Sequence, residues 1–222
     1  DHRDLHSFPT RRSSDLGART MIIEESNWLG GMLTSAGVSA IDGNYNMPSG
    51  FWGEFKESLT SYYGNAEALK TGWVSHVQFE PSVGNKILQH ITAQEKNLTV
   101  HFKSKLKSIK KGNGKWTVII QTPGKTLILH PRIIIDATEL GDVALQCGVR
   151  YDVGMESRKD TREDVAPEKA NDVIQDLTYV AILKDYGKDV TIPQPVDYNP
   201  HAFVCSCQNP LCKNPNPLNT LW

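Results

Sequence analysis

Ile133–Asp142 reads IIIDATELGD, and Met21–Gly31 reads MIIEESNWLGG. Each is a short apolar run that ends in an acidic residue followed by turn-forming residues. A strand buried on both faces of a parallel sheet reads as such a continuous apolar run rather than an alternating one. It delivers the residues that follow it to the carboxyl edge of the sheet, where open α/β folds bind their ligands. Two runs of this kind, far apart in the chain with helical and β-rich sequence between them, predict an α/β dinucleotide fold interrupted by a second unit.

Outward from these two stretches the elements follow in order. Ala18–Glu24 is expected as a strand, and Ser26–Gly37 as a glycine-containing loop that leads into a helix. Ile41–Ser49 is turn-rich. Phe51, Phe55, Leu59 and Tyr62 recur at helical spacing, which predicts an amphipathic helix over Phe51–Tyr62. Gly64–Gly72 reads as a loop or short helix. Glu80-Pro81-Ser82 opens a second helix, Val83–Gln94, with proline in the first turn where its missing N–H costs nothing. Leu98–Phe102 alternates as a strand. Leu106–Lys110 and Trp116–Gln121 flank Lys111-Gly112-Asn113-Gly114, a hairpin signal, and Thr126–His130 supplies a third strand after Pro123-Gly124. Arg132–Asp136 is expected as a buried strand, followed by a helix from Asp142 to Cys147. Val173–Leu183 has a buried face in either helix or strand, and Ile192–Pro200 is proline-rich and extended.

Composition sets bounds. The 222 residues carry 24 Lys and Arg against 25 Asp and Glu, a formal net charge of −1. That balance gives the whole chain no electrostatic footprint for nucleic acid or anionic lipid. No run approaches the ~20 apolar residues of a membrane span. Of the four cysteines, Cys147 lies in an apolar stretch and is expected in the core. Cys205, Cys207 and Cys212 form C-x-C-x4-C, open to three readings: free thiols in a Pro/Asn-rich loop, a partial metal site, or a redox pair.

Asp1–Leu16, DHRDLHSFPTRRSSDL, has no apolar period; it reads as a disordered N-terminal arm or, as expected here, as the in-frame translation of a short-read sequencing adapter oligonucleotide. It is therefore set aside from fold reasoning as non-native, like any cloning scar. The expectation that follows is a polypeptide that starts mid-domain at Gly17 and is cut short after PLCKNPNPLNTLW.

The chemistry suggested by the two opening stretches is that of a nucleotide site. A carboxylate at the end of a Rossmann strand accepts hydrogen bonds from ribose hydroxyls. Glu24 and Glu25 stand in that place, and Glu24 directly continues the strand. Gly30-Gly31 lets backbone approach a flat or anionic ligand closely; a plain turn uses the same residues. In Asp136-Ala137-Thr138 the small residue after the strand does likewise. Gly141-Asp142 starts a helix whose positive end suits a phosphate or flavin, although a simple Thr/Asp helix cap reads the same way. The G-x-G-x-x-G pyrophosphate loop is not seen, and it would fall before Glu24, where the adapter sequence sits.

Four ordered segments carry a family resemblance: IIEESNWLGGMLT, FEPSVGNKILQHI, NLTVHFKSKLKSI and IIIDATELGDVALQCGVRYDVGMES. Together they resemble the FAD-dependent oxidoreductases known as xanthan-lyase-like flavoproteins, within the glutathione-reductase-type superfamily. Asp136 to Val143 is similar to the family's late motif D-A-T-x-x-G-D-L. Cys147 departs from its commoner alanine, and the glycine fingerprint is missing. The resemblance covers about Gly17 to Tyr186. It implies an incomplete Rossmann-like FAD-binding domain without its first strand and glycine loop, built from 17–39 and 97–150. A helical insert would occupy 40–96, and a truncated substrate domain would start at 151 and run to 222.

The resemblance also implies roles. Glu24 would hold the adenosine ribose. Gly30, Gly31, Met32 and Thr34 would line the pyrophosphate and isoalloxazine side, and the Leu106 backbone would contact adenine. Ala137, Thr138, Gly141 and Asp142 would close over the cofactor. Arg158 and Gln175 are candidates for the substrate side; no catalytic residue is assigned. The expected activity is hydride transfer through FAD to or from a small-molecule or sugar-like substrate, with no nucleic-acid partner. A lyase or isomerase with non-redox FAD, and a non-enzymatic nucleotide-binding module, are the alternatives.

Overall fold

The computed structural model describes residues 17–72, 75–174, 180–181, 184, 186–190 and 193–199. The chain divides into two compact units, Asp1–Ile182 and Leu183–Trp222. In the first, β1 (Thr20–Ile23) pairs in parallel with β4 (Leu98–His101), Thr20 opposite Leu98 and Ile23 opposite His101. A parallel pair needs a crossover. Here the crossover contains a short antiparallel pair, β2 (Ala40–Ile41) with β3 (Val77–Gln78), and two 14-residue helices, α1 (Gly50–Tyr63) and α2 (Pro81–Gln94). A three-stranded antiparallel sheet follows, β5 (Lys105–Gly112), β6 (Lys115–Thr122) and β7 (Lys125–Leu129). Two short helices come last, α3 (Asp142–Gln146) and α4 (Arg158–Thr161). The architecture is α/β.

Two apolar clusters hold the first unit. The larger one joins Phe55 and Leu59 of α1, Val83 and Leu88 of α2, and Leu29, Leu69 and Phe79 from the connecting segments. Phe55 meets Phe79 edge-on with ring centroids 5.5 Å apart, the arrangement favoured by the ring quadrupole. Gly53 allows α1 to pass close to Pro48, since a Cβ there would stand 2.3 Å from the Pro48 carbonyl oxygen. Tyr63 ties the helices together, its hydroxyl accepting the Glu80 N–H at 2.9 Å. The second cluster lies under the antiparallel sheet, with Ile109, Val118 and Ile120 buried and Ile134, Val143 and Cys147 packed against them.

The helices and hairpins stand within a residue or two of their expected positions. Two expectations need correction. Ser26–Gly37 does not lead into a helix; it holds one 3-10 turn, Gly31–Leu33, because two successive glycines in left-handed conformations (φ 109° and 49°) break a right-handed helix before it starts. Arg132–Asp136 is not a buried strand. It forms no ladder, and Ile133 and Ile135 are 78% and 42% exposed. A strand exists only through its neighbours, and among the described residues none pairs with this run. The edge of β1 opposite β4 is likewise unpaired among them.

In the second unit Tyr198 N–H bonds to the Pro195 carbonyl at 3.1 Å, and the Lys184 ammonium lies 5.0 Å from the Tyr186 ring centroid. Gln175, Cys205, Cys207 and Cys212, with most of Val173–Leu183, lie outside the described residues.

Candidate functional site

Glu24 follows β1 directly and is half-buried. Its backbone N–H continues the parallel ladder to the His101 carbonyl at 2.9 Å, and its carbonyl accepts the Ser104 N–H at 2.9 Å. Its side chain turns forward, Oε1 accepting the Ser26 N–H at 2.7 Å. The carboxylate therefore stands at the carboxyl end of a parallel strand, held by one hydrogen bond to the loop it starts.

That loop is shaped by α2. Asn85 Oδ1 accepts the Leu29 N–H at 2.9 Å and the Gln89 amide at 3.0 Å, and Gln89 Nε2 also donates to the Asn27 carbonyl at 3.3 Å. Asn85 is buried, and a buried amide without partners would cost a few kcal/mol, so these bonds fix the loop against the helix. This pair is not among the residues expected at the site. Its signal was an Asn and a Gln four apart on a helix face otherwise made of Val83, Leu88 and Ile91. Gly84 completes the support, since a Cβ there would meet the Phe79 ring at 2.5 Å.

Gly30 and Gly31 differ in what surrounds them. A Cβ on Gly30 would lie 2.6 Å from Leu88 Cδ1 and 2.8 Å from Thr34, so its space is already filled by this chain. A Cβ on Gly31 would have one neighbour within 4 Å, Glu139 Oε1 at 4.0 Å. Thr34 is 2% exposed, and its hydroxyl donates to the Leu29 carbonyl, which closes the turn from inside. Met32 is 60% exposed.

The second loop is organised by Asp136. Its Oδ1 accepts from both the Thr138 N–H (2.9 Å) and the Thr138 hydroxyl (2.7 Å), and its Oδ2 accepts the Ala144 N–H at 2.7 Å. Thr138 Oγ1 in turn accepts the Asp142 N–H at 2.8 Å. Gly141 adopts the left-handed conformation (φ 74°) ahead of α3. Asp136 thus satisfies the exposed start of α3 from eight residues away. Partial burial acts to raise its pKa, but the hydrogen bonds from Thr138, Ala144 and Val143 outweigh it and hold the carboxyl below its usual range. Ala137, Thr138 and Asp142 are exposed.

The two loops come together, as the approach of Gly31 to Glu139 marks. Leu106 stands apart from them on β5, half-buried and paired with Ile120. Arg158 lies on α4, where its Nε donates to the Ala166 carbonyl at 3.2 Å. A groove of about 610 Å3 lies elsewhere, between the outer faces of α1 and α2, lined by residues including Glu57, Tyr62 and His90. It shares no residue with either loop. Among the described residues no cluster of His, Cys, Asp and Glu could hold a metal, and no helix is long and apolar enough to cross a membrane.

The family model described as FAD dependent oxidoreductase matches residues 12–216. No curated protein and no solved structure matches the chain.

Proposed function

The chain belongs to the FAD dependent oxidoreductase family, and from that premise we propose that Glu24, Gly31 and the loop Ala137–Asp142 form the protein side of its FAD site. The observation that carries this reading is the bare backbone at Gly31, where a Cβ would meet one atom within 4 Å, Glu139 Oε1 of the second loop at 4.0 Å. FAD fits that arrangement. It presents ribose hydroxyls that a strand-end carboxylate accepts from, and a flat ring that needs bare backbone beside it.

In this reading Glu24 would hold the adenosine ribose while its Oε1 accepts the Ser26 N–H. Gly30 and Thr34 act inside the turn, and Gly31 and Met32 face the cofactor. Thr138, Gly141 and Asp142 lie across it, with Ala137 as the small residue that permits the approach. The Leu106 backbone borders adenine. FAD supplies the hydride chemistry; the chain binds, orients and tunes it. We assign residues 17–39 and 97–150 to the cofactor part, 40–96 to a helical insert, and the residues from 151 onward to the side that meets a small-molecule or sugar-like substrate.

Titration of the chain with FAD, followed by quenching of flavin fluorescence, tests the site. Glu24→Gln keeps the shape and one acceptor but removes the charge, so affinity should fall about tenfold, the worth of one charged hydrogen bond. Gly31→Val should abolish binding, and because φ at Gly31 is 49°, where a β-branched residue strains the backbone, its melting temperature is compared with the parent's to separate lost binding from lost fold. Unchanged affinity in both variants would dismiss the site. Anaerobic reduction of the bound flavin by candidate sugars then tests the substrate class.

A further inference from the structure

The balanced charge of the chain conceals a segregation. Residues 96–135 contain eight Lys and one Arg and not a single Asp or Glu, which leaves 15 basic and 25 acidic residues elsewhere. Six of these eight lysines, Lys105, Lys107, Lys110, Lys111, Lys115 and Lys125, lie on the three strands of the antiparallel sheet. Register decides the faces: Ile109, Val118 and Ile120 point into the core. Lys105 opposite Gln121 and Lys110 opposite Thr117 point the other way, with Lys115 next along β6 on that side. Lys107 sits in the irregularity between Leu106 and Ser108. All four lysines are exposed, as is Ile128 of β7 at 63%. Lys105 meets Glu25 at 3.3 Å in a pair well exposed on both sides, an interaction worth little. Lys107, Lys110 and Lys115 have no acidic partner among the described residues.

We propose that the outer face of the β5–β7 sheet is a docking surface for a protein partner whose own contact surface is rich in carboxylates. None of these lysines is the cross-strand partner of another, but they share one face, and their summed field draws a carboxylate-bearing surface. The charges are lysines, compact and hydrated points without the bidentate fork of arginine. Such a face accelerates encounter and orients a complementary surface more than it locks a phosphate. The same face carries no Trp, Tyr or Phe: Trp116 belongs to the core side, with the Lys111 ammonium 5.1 Å from its ring centroid. It therefore lacks the stacking platform of a single-stranded nucleic-acid binder and the aromatic wedge of a membrane surface. The proposal does not depend on the flavin site.

The test titrates the full chain with fluorescent poly-L-glutamate at low salt. It compares Lys105→Glu/Lys110→Glu/Lys115→Glu with Lys70→Glu/Lys86→Glu/Lys169→Glu, a control with the same change in net charge at exposed lysines off the sheet. The sheet variant should lose about tenfold or more in affinity and the control less than about twofold, with binding to the parent chain falling steeply as salt is added. Equal loss in both variants, or loss in neither, overturns the proposal. So does tighter binding of oligothymidylate or phosphatidylserine vesicles than of poly-L-glutamate, lost with the same substitutions. Probe-free dimerisation that only the sheet variant abolishes would make a second copy the occupant and overturn it as well.

Discussion

Asp136 illustrates how one side chain does the work of a missing ladder. It stands after an apolar run that has no strand beside it, and it replaces backbone pairing with three hydrogen bonds into the turn and α3. Those bonds favour its ionised form, so its pKa is lowered on folding. The sign of the linkage follows: the stabilisation is complete above the ordinary carboxylate range and is lost as pH falls through the lowered folded value. In 1H–15N spectra the amides of Thr138 and Ala144 should shift together with one midpoint below about 3.9, the unperturbed value for Asp. Independent midpoints, or one above that value, would contradict the network. The motif was visible in the sequence as Asp-Ala-Thr, but its two readings, cofactor edge and helix cap, share the same residues. The structure shows the cap bonds made, and leaves the outer sides of Ala137, Thr138 and Asp142 open.

Elements were legible where their determinants are local. Asn113-Gly114 takes positive φ at both residues, as a tight hairpin turn requires, and β5 and β6 flank it as expected. Pro81 begins α2, and the apolar periods of α1 and α2 select their buried faces. Arg132–Asp136 was misread because apolar composition reports a demand for burial on both sides, and only its inner side is met here, with Ile134 packed on the sheet cluster. The site was legible in part for a similar reason. Glu24 and the glycines announce themselves, but Asn85 acts across 56 residues of sequence, and no local pattern encodes such a contact. Hydrogen exchange should separate the two kinds of apolar segment. The amides of Ile133–Ile135 should exchange orders of magnitude faster than those of Val118–Ile120 at the centre of the sheet. Comparable protection would mean that the run is paired in solution.

At the scale of the molecule, the described residues of the first unit form two apolar clusters and not one. Separate clusters weaken the cooperativity that a single core imposes. Leu59 is fully buried at the centre of the helical cluster, and Leu59→Ala should cost about 2–5 kcal/mol there through lost contacts and the cavity left behind. Slow amide exchange in the β5–β7 sheet should survive that substitution almost unchanged. If it collapses in parallel, the two clusters act as one folding unit.

The edge of β1 that no described residue covers has a consequence in concentrated solution. Thr20-Met21-Ile22-Ile23 combines strand-forming side chains with a bare row of backbone donors and acceptors, and it has neither proline nor charge within it. An edge of that kind is a seed for growth, able to recruit the same segment from another molecule and repeat the recruitment. Met21→Lys, at a side chain that is already exposed, should therefore lower light scattering of concentrated solutions; unchanged scattering would mean that this edge is not the seed.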